Sequence, residues 1–425
     1  MEKCDIRYQT YVQVLKEELV PAMGCTEPIA LAYCSAKARE VLGCLPERCL
    51  VEVSGNIVKN VKSVIVPNTG GMKGIEAAAA AGIVAGDASR VLEVIAEVTD
   101  AQKIQMKEYL AEHPIKVEPL ETEEILDMIV TVYCGQSWAR VRIANYHTNI
   151  VLIEKDGTVL YEVGVMAEES AQMADRSLLD VEHIYEFAET ADLDDVRELI
   201  ARQIAYNTAI SEDGLKENWG ANIGSVLLSA YGNDIRVRAR AAAAAGSDAR
   251  MSGCELPVII NSGSGNQGMT ASLPVIEYAK ELNVSEEKLY RALLLSNLIT
   301  IHQKTGIGRL SAYCGAVSAG CGAGCGIAYL HGGDLKTVSH TLVNALAIVS
   351  GIICDGAKPS CAGKIAAAVD AGILGYQMYM NGQQFYGGDG IISKGVENTI
   401  QNIGRLGKEG MKETDKEIIR IMTNC

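Results

Sequence analysis

Short runs of β-branched and apolar residues alternate with turn signals between about residues 45 and 160. Such runs are typical of strands, and Asp156 followed by Gly157 is typical of a hairpin turn. The pattern predicts strands at residues 49–54, 62–66, 128–133, 139–143, 149–153 and 158–163. Between them, Ala-rich and amphipathic segments predict helices within residues 74–110. This part of the chain is therefore predicted to form a mainly antiparallel sheet with helices.

From about residue 179 onward, apolar positions recur with helical periodicity and the strand pattern disappears. The helical segments that this predicts are residues 194–206, 285–304, 310–330, 335–353 and 362–380. Residues 7–43 are also predicted to be helical. Within them, Thr26 is a candidate helix cap and Pro28 occupies a candidate first helical position.

These two patterns predict an α+β fold. A mainly helical catalytic domain is built from both ends of the chain, residues 1–44 and 180–425, and an α+β accessory domain of residues 45–179 is inserted between them. Residues 311–326 are nearly all small. Each glycine there costs a helix about 1 kcal/mol relative to alanine. Such a cost indicates a close approach of helices around a buried group.

Composition limits the classes of partner. The chain has 425 residues, 48% of them apolar and 21% charged, which is ordinary for a globular protein. Its formal charge of −15 opposes binding to nucleic acid or to an anionic membrane, so a small-molecule partner is predicted. Charges interrupt the N-terminal region, and no apolar stretch reaches the roughly 18 residues of a membrane span. We therefore expect a cytoplasmic location.

Thirteen cysteines without a secretion signal indicate reduced thiols, with a subset available for metal or redox use. Cys354 and Cys361 flank a short loop that contains glycine and proline, and Cys314 can return to the same place through two antiparallel helices. Three thiolates suit an iron–sulfur cluster better than zinc, which usually takes four protein ligands or three and a water. From spacing alone, zinc and a purely structural role both stay open.

A further cysteine lies far upstream. Cys25 belongs to the string GCTEP at residues 24–28 and precedes a predicted helix, where unpaired N–H groups and the helix dipole favour a thiolate. Glu27 would orient the thiol or a substrate amine, or would act only as a favourable acid in the first helical turn. A small buried structural residue is the alternative for Cys25.

A glycine-rich segment that precedes a predicted helix is the candidate substrate site. Glycines let the backbone approach a ligand, and the free N–H groups of a helix start bind anions such as an amino-acid carboxylate. The residues assigned to substrate binding in this segment are Ser262, Gly263, Ser264, Gly265, Asn266 and Gln267. A plain connector is the alternative, and a dinucleotide loop is disfavoured because the βαβ context is missing.

Side chains from other segments would complete this substrate site. His147 and Asn149 are candidates from the accessory region, although a single histidine beside strands is more often a structural hydrogen-bonding residue. Lys304 and Arg309 closely precede Cys314 and would neutralise a carboxylate or the charge of a cluster. Such basic residues more often lie at the protein surface.

Several strings resemble, in the same order, the L-cysteine desulfidase family, which is related to the alpha part of the iron–sulfur L-serine dehydratases. They are GCTEP at residues 24–28, NSGSGNQG at 261–268, RLSAYC at 309–314, ICDGA at 353–357 and SC at 360–361. The likeness extends over about residues 10–420. It implies a 4Fe–4S lyase that cleaves L-cysteine into pyruvate, ammonia and sulfide without pyridoxal phosphate.

By the same resemblance, Cys314, Cys354 and Cys361 match three cluster ligands that leave one iron open, and Cys25 matches the catalytic base. An open iron acts as a Lewis acid on the leaving group while the base removes the α-proton. L-serine dehydration by the same residues is the nearest alternative, and a non-catalytic amino-acid or redox sensor is the alternative from another class. The many apolar helices are compatible with a homodimer.

Overall fold

The computed structural model describes residues 1–164, 173–308 and 310–423, and their architecture is α+β with a mainly helical body, as predicted. The helices are α1 (Ile6–Glu18), α2 (Thr26–Leu42), α3 (Gly55–Val61), α4 (Gly74–Ala85), α5 (Asp100–Glu112), α6 (Val181–Thr190), α7 (Arg197–Lys216), α8 (Ile223–Tyr231), α9 (Ile235–Met251), α10 (Gly265–Glu281), α11 (Glu286–Ile307), α12 (Gly315–Leu330), α13 (Leu335–Val349), α14 (Ser360–Met380), α15 (Val396–Arg405) and α16 (Lys412–Thr423). The strands are β1 (Pro21–Met23), β2 (Arg48–Val53), β3 (Ile115–Pro119), β4 (Asp127–Cys134), β5 (Ser137–Ala144), β6 (Ile150–Lys155), β7 (Thr158–Glu162) and β8 (Pro257–Ile259). None of the described helices combines the length and the apolar character that a membrane span requires.

The larger sheet of the described chain contains six strands in the order β3-β2-β4-β5-β6-β7. Every pairing in it is antiparallel except that of β2 with β3, so the prediction of a mainly antiparallel sheet is confirmed. Asp156 and Gly157 connect β6 to β7 with φ angles of 49° and 81°. Two positive φ angles are what the predicted hairpin turn requires.

One strand prediction is wrong, and three short strands of the described chain have no counterpart among the predicted strands. Residues 62–66, all of them described, form no strand, and Ile65 makes only an isolated bridge with Lys73. Conversely, β1, β3 and β8 are not predicted, because each has only three to five residues and contains a proline, which disfavours a strand. β3 pairs in parallel with β2 after a crossover through α3, α4 and α5.

Helix α2 joins the helical body to the sheet and is buried over most of its surface. The Cys34 thiol donates a hydrogen bond to the Val141 carbonyl of β5 (3.4 Å). On another face α4 approaches so closely that a Cβ on Gly82 would lie 2.1 Å from the Ala32 carbonyl oxygen. Buried apolar side chains of both regions belong to one continuous core, so the division into two domains stays a prediction.

The small-residue segment forms α12, which packs against α14 backbone to backbone. A Cβ on Gly320 would lie 2.5 Å from the Ala368 carbonyl group, and a Cβ on Gly324 would lie 2.6 Å from the Gly372 carbonyl oxygen. These distances confirm the predicted close approach of helices. Since the contacts advance in the same direction along both helices, α12 and α14 run roughly parallel and begin at the same end of the helical body.

Candidate active site

One buried cavity collects candidate residues from distant parts of the chain. Its open volume is about 100 Å³. On that measure one water molecule needs about 10–15 Å³, so the cavity has room for several waters or one small solute. The cysteines among its described lining residues are Cys25, Cys314, Cys354 and Cys361.

Four helices of the described chain begin at this cavity. Cys25, Ser264 and Cys314 are the N-caps of α2, α10 and α12, and Cys361 is the second residue of α14. Free N–H groups and the positive ends of the helix dipoles therefore converge there. This backbone arrangement favours anionic ligands.

A short antiparallel bridge holds Cys314 and Cys354 on one face. Tyr313 pairs with Ile353, and the N–H groups of Cys314 and Cys354 donate to carbonyls of the opposite segment at 3.1 and 2.6 Å. Because successive side chains point to opposite faces of such a ladder, both thiol-bearing side chains point to the same side. They are diagonal neighbours, which in an antiparallel pair lie about 7–8 Å apart.

The loop between Cys354 and Cys361 brings the third thiol to the same cavity. Asp355 forms an ion pair with Lys364 that closes the loop against α14. Gly356 has a φ of 90°, and a Cβ there would lie 2.1 Å from a carbonyl oxygen of α3. Only glycine fits this turn.

Three thiols of the cavity, Cys314, Cys354 and Cys361, are the candidate metal ligands. Burial and then the charge of Cys354 raise the pKa of Cys314 to about 12, and burial raises the pKa of Cys361, so these thiols need a positive partner to ionise together. Among the described residues no group of three or more His, Cys, Asp and Glu side chains is arranged to hold a metal ion as it stands. The thiol side chains would therefore have to reorient to bind either a cluster or zinc, and both alternatives stay open.

Cys25 and Glu27 form a buried hydrogen-bonded pair. The Cys25 thiol donates to Oε2 of Glu27 (3.1 Å). Oε1 of Glu27 accepts from Nδ2 of Asn60 (3.2 Å) and lies 3.9 Å from Nε2 of His147. Burial acts to raise the pKa of Glu27, but its interactions with His147 and the Cys25 thiol outweigh burial and lower the pKa to about 2. The Glu27 carboxyl group is therefore ionised.

The sequence predicts that Cys25 ionises readily to a thiolate, but the structure indicates the opposite. Burial, followed by the charge of Glu27, raises the pKa of Cys25 well above its ordinary value, and the charge of Arg250 opposes this only in part. The cap prediction also needs correction. Cys25 is the N-cap of α2, whereas Thr26 and Pro28 are its first and third residues, and the Thr26 hydroxyl donates to a carbonyl of the glycine-rich loop (2.9 Å).

The glycine-rich loop covers one side of the cavity and leads into α10. Ser262 and Gly263 have positive φ angles of 50° and 78°, and Asn261 bridges to Ser264 across this turn. A Cβ on Gly268 would lie 2.0 Å from a carbonyl oxygen of β8, so the helix start packs directly on that strand. The predicted loop residues that line the cavity are Ser262, Gly263, Ser264, Asn266 and Gln267.

Five polar side-chain atoms of the lining are buried without a hydrogen-bond partner among the described residues. They are Nε2 of His147, Nε of Arg250, Oδ1 of Asn266, Oε1 of Gln267 and the hydroxyl oxygen of Tyr313. A buried polar group without a partner costs about 1–3 kcal/mol, and native proteins keep few of them. Their concentration in one cavity indicates a polar ligand that supplies the missing partners.

The remaining predicted residues are placed differently. Lys304 is buried and lines the cavity, as His147 does. The structure does not bring Asn149 there, because its side chain donates to the Ala144 carbonyl (3.0 Å) within its own turn. Gly265 lies behind the cavity wall, against the Arg250 side chain. Arg309 is outside the described residues.

Sequence reasoning missed Asn60, Arg250 and Tyr313, which all line the cavity. Arg250 carried a usable signal, because it is a basic residue at the end of an Ala-rich run that forms the buried part of α9. Tyr313 lies beside Cys314 within the string RLSAYC. Asn60 carried no such signal, since its approach to Glu27 is a contact between distant segments.

Comparison with known proteins decides the family. Residues 89–420 match the family model described as "Serine dehydratase alpha chain". The chain belongs to this family. The resemblance to the alpha part of the serine dehydratases is thereby confirmed, and membership in the serine dehydratase alpha chain family indicates a lyase that acts on a small amino acid.

Relatives extend the similarity to the whole chain, including the segment around Cys25. The UPF0597 protein of Desulfitobacterium hafniense (strain Y51) is 65% identical over 100% of this chain and 99% of its own length. The UPF0597 protein of Lachnoclostridium phytofermentans is 53% identical over 98% of this chain and 100% of its own length. That of Treponema denticola is 48% identical over 98% of each chain.

Proposed function

We propose that this protein is a carbon–sulfur lyase that cleaves L-cysteine by α,β-elimination without pyridoxal phosphate. The products are pyruvate, ammonia and hydrogen sulfide. The observation that carries the proposal is that one buried cavity is lined by three groups of side chains. They are the candidate metal ligands Cys314, Cys354 and Cys361, the Cys25–Glu27 pair, and the polar atoms that have no hydrogen-bond partner among the described residues. Metal donors and a proton-transfer group thus surround a space for one small polar molecule.

Cys314, Cys354 and Cys361 would hold a 4Fe–4S cluster. Their thiolates would be soft ligands, and the helix starts at the cavity favour the negative charge of such a cluster. When bound through three cysteines, the cluster supplies an open iron that acts as a Lewis acid on the leaving sulfur atom.

Glu27 would bind the substrate ammonium group. Its carboxylate is ionised and buried, and Asn60 holds one of its oxygens in place. An ammonium group at this position offsets the negative charge that helps to raise the pKa of Cys25. Substrate binding itself therefore favours the Cys25 thiolate, which takes the α-proton.

Elimination of the α-proton and the β-sulfur leaves 2-aminoacrylate, which tautomerises and takes up water to give pyruvate and ammonia. The buried wall of the cavity limits bulk water during the first step. Charges on the substrate and on Glu27 consequently interact more strongly than they would in solution. The loop at the start of α10, together with His147 and Lys304, would supply polar contacts to the substrate.

L-serine is the second candidate substrate, and the family description favours it. The same residues would act, with hydroxide instead of hydrosulfide as the leaving group. We prefer L-cysteine because a soft sulfur atom is the better ligand for cluster iron and because the motif strings resemble the desulfidases. A cytoplasmic location and a homodimer stay predictions.

Anaerobic reconstitution with iron and sulfide, followed by metal analysis and a pyruvate assay, tests the proposal. We expect iron and acid-labile sulfide in equal amounts, and faster pyruvate release from L-cysteine than from L-serine. Faster pyruvate release from L-serine would show that L-serine is the preferred substrate. Binding of both amino acids without pyruvate formation would contradict the lyase and favour the alternative of a non-catalytic sensor.

A further inference from the structure

Arg250 is a buried arginine for which the described structure supplies no partner. It lies in the last turn of α9, is 2% exposed and is among the largest fully buried side chains. Its Nε has no hydrogen-bond partner among the described residues, and the guanidinium lines the cavity that holds Cys25 and the three-thiol set. An arginine keeps its charge in proteins, so the cavity contains a cation that has no ion-pair partner among the described residues.

The absence of a side chain at Gly265 makes room for the Arg250 guanidinium. A Cβ on Gly265 would lie 2.4 Å from Nε and 2.9 Å from Cζ of Arg250, so the guanidinium rests directly on the first residue of α10. Any larger residue at position 265 would displace it. The unpaired guanidinium and the free N–H groups of this helix start therefore lie side by side.

The acidic group of the cavity does not pair with Arg250. Glu27 accepts hydrogen bonds from the Cys25 thiol and from Asn60, and it forms no ion pair with Arg250. A buried charge that is left without a partner is strongly destabilising. An anion that enters the cavity is therefore the natural partner for Arg250. A planar carboxylate matches the fork of a guanidinium through two parallel hydrogen bonds.

We propose that Arg250 binds the α-carboxylate of the amino-acid substrate, with Gly265 keeping its guanidinium in place. This inference rests on the proposed function, because it assumes that the ligand of the cavity is an α-amino acid. With the carboxylate at Arg250 and the ammonium group at Glu27, two of the four substituents of the α-carbon are held. The orientation of the α-hydrogen and of the side chain then follows from the chirality of the L-amino acid.

L-alanine is the probe for this inference, because it has the α-carboxylate and the ammonium group but no β-leaving group. Ethylamine is its counterpart without the carboxylate. In calorimetry on the anaerobically reconstituted protein, we expect Arg250→Gln to weaken L-alanine binding about 10- to 100-fold, the range for a lost charge-assisted hydrogen bond. Binding of ethylamine stays unchanged in this variant. Unchanged affinity for L-alanine, or equal losses for both ligands, would overturn the assignment.

Two further variants separate binding from folding. Arg240→Gln changes an arginine on the same helix that pairs with Asp370 outside the cavity, and we expect no effect on either ligand. Gly265→Ala keeps Arg250 but moves its guanidinium, and it also weakens L-alanine binding selectively. A Gly265→Ala variant with wild-type affinity would contradict the role of the glycine.

The outcome is independent of the lyase assay. If no pyruvate forms from L-cysteine or L-serine while L-alanine binding still depends on Arg250, the proposed reaction fails and the carboxylate site stands. If pyruvate forms and Arg250→Gln has an unchanged KM, the reaction stands and the carboxylate site fails.

Discussion

The Cys25 thiol donates a 3.1 Å hydrogen bond to the Glu27 carboxylate inside a buried cavity. The two groups have opposite tendencies, because burial raises the pKa of Cys25 whereas the interactions of Glu27 with His147 and the thiol hold its pKa at about 2. The proton therefore stays on sulfur until a positive group approaches the carboxylate. This pair gives the substrate ammonium group a direct influence on the base.

Replacement of Cys25 by serine tests the base. A hydroxyl group ionises far less readily than a thiol, so we expect turnover with L-cysteine to fall by about 10²- to 10⁴-fold, the usual contribution of general base catalysis. Iron content stays at the wild-type level. Cys34→Ser, on the same helix but facing β5, is the control and keeps its activity. Loss of iron in Cys25→Ser would instead identify Cys25 as a ligand.

Replacement of Cys354 by alanine tests the cluster site. Cys354 shares its face of the bridge with Cys314, so its removal takes away one of three neighbouring donors. We expect the broad visible absorption, the bound iron and nearly all activity to be lost. Cys321→Ala removes a buried thiol of α12 outside the cavity and should leave the iron content unchanged. Full iron content in Cys354→Ala would exclude ligation by this residue.

Acid stability tests the electrostatics of Glu27. Its pKa is lowered from 4.5 to about 2 in the folded protein. The unfolded chain therefore takes up a proton at a higher pH than the folded one, and the stabilisation is present above pH 4.5 and is lost as the pH falls towards 2. The shift corresponds to about 3 kcal/mol in the free energy of unfolding.

Urea titrations of the cluster-free protein between pH 6 and pH 2 measure this effect by comparison with Glu27→Gln. We expect the stability of the wild type to fall more steeply than that of the variant below about pH 4.5. Parallel pH profiles of the two proteins would show that Glu27 is not held in its ionised form.

Two glycines of one helix make a matched test of the close packing. A Cβ on Gly372 would lie 2.2 Å from the Gly320 carbonyl oxygen, whereas a Cβ on Gly363 meets nothing within 4 Å. We expect Gly372→Ala to lower the free energy of unfolding by about 1–3 kcal/mol through overpacking. Gly363→Ala should raise it by up to about 1 kcal/mol through helix propensity. Equal effects of the two substitutions in denaturant titrations would contradict the backbone contact between α12 and α14.

Much of the fold follows from local patterns. Alternation of apolar residues predicts β2 and β4 to β7, and helical periodicity predicts the long helices of the second half, because both patterns describe one face packed on a core. The run at residues 62–66 is equally β-branched but finds no strand partner among the described residues beyond an isolated bridge. β3 escapes prediction because it is short and ends at Pro119, so that its order depends on its pairing with β2.

The candidate site also has residues that the sequence predicts and features that only the structure shows. The glycine-rich loop and the four cysteines are recognisable from the sequence, because their residue types carry specific chemistry. Spacing alone did not show how the cysteines meet, whereas the pairing of Tyr313 with Ile353 puts the Cys314 and Cys354 side chains on the same face of the bridge. Asn149 was a reasonable candidate by its position next to His147, yet its side chain turns back to its own loop.

The sequence by itself determined the α+β class, the serine dehydratase alpha chain resemblance and the segments that hold the candidate site residues, since these depend on residue type and local order. Only the tertiary structure decided which groups share the cavity, that burial and then the charge of Glu27 raise the pKa of the Cys25 thiol, and that Arg250 is a buried cation without a described partner. The physical reason is that burial and charge proximity arise from contacts between segments far apart in the chain, and these set both the pKa values and the unsatisfied donors that a ligand would meet.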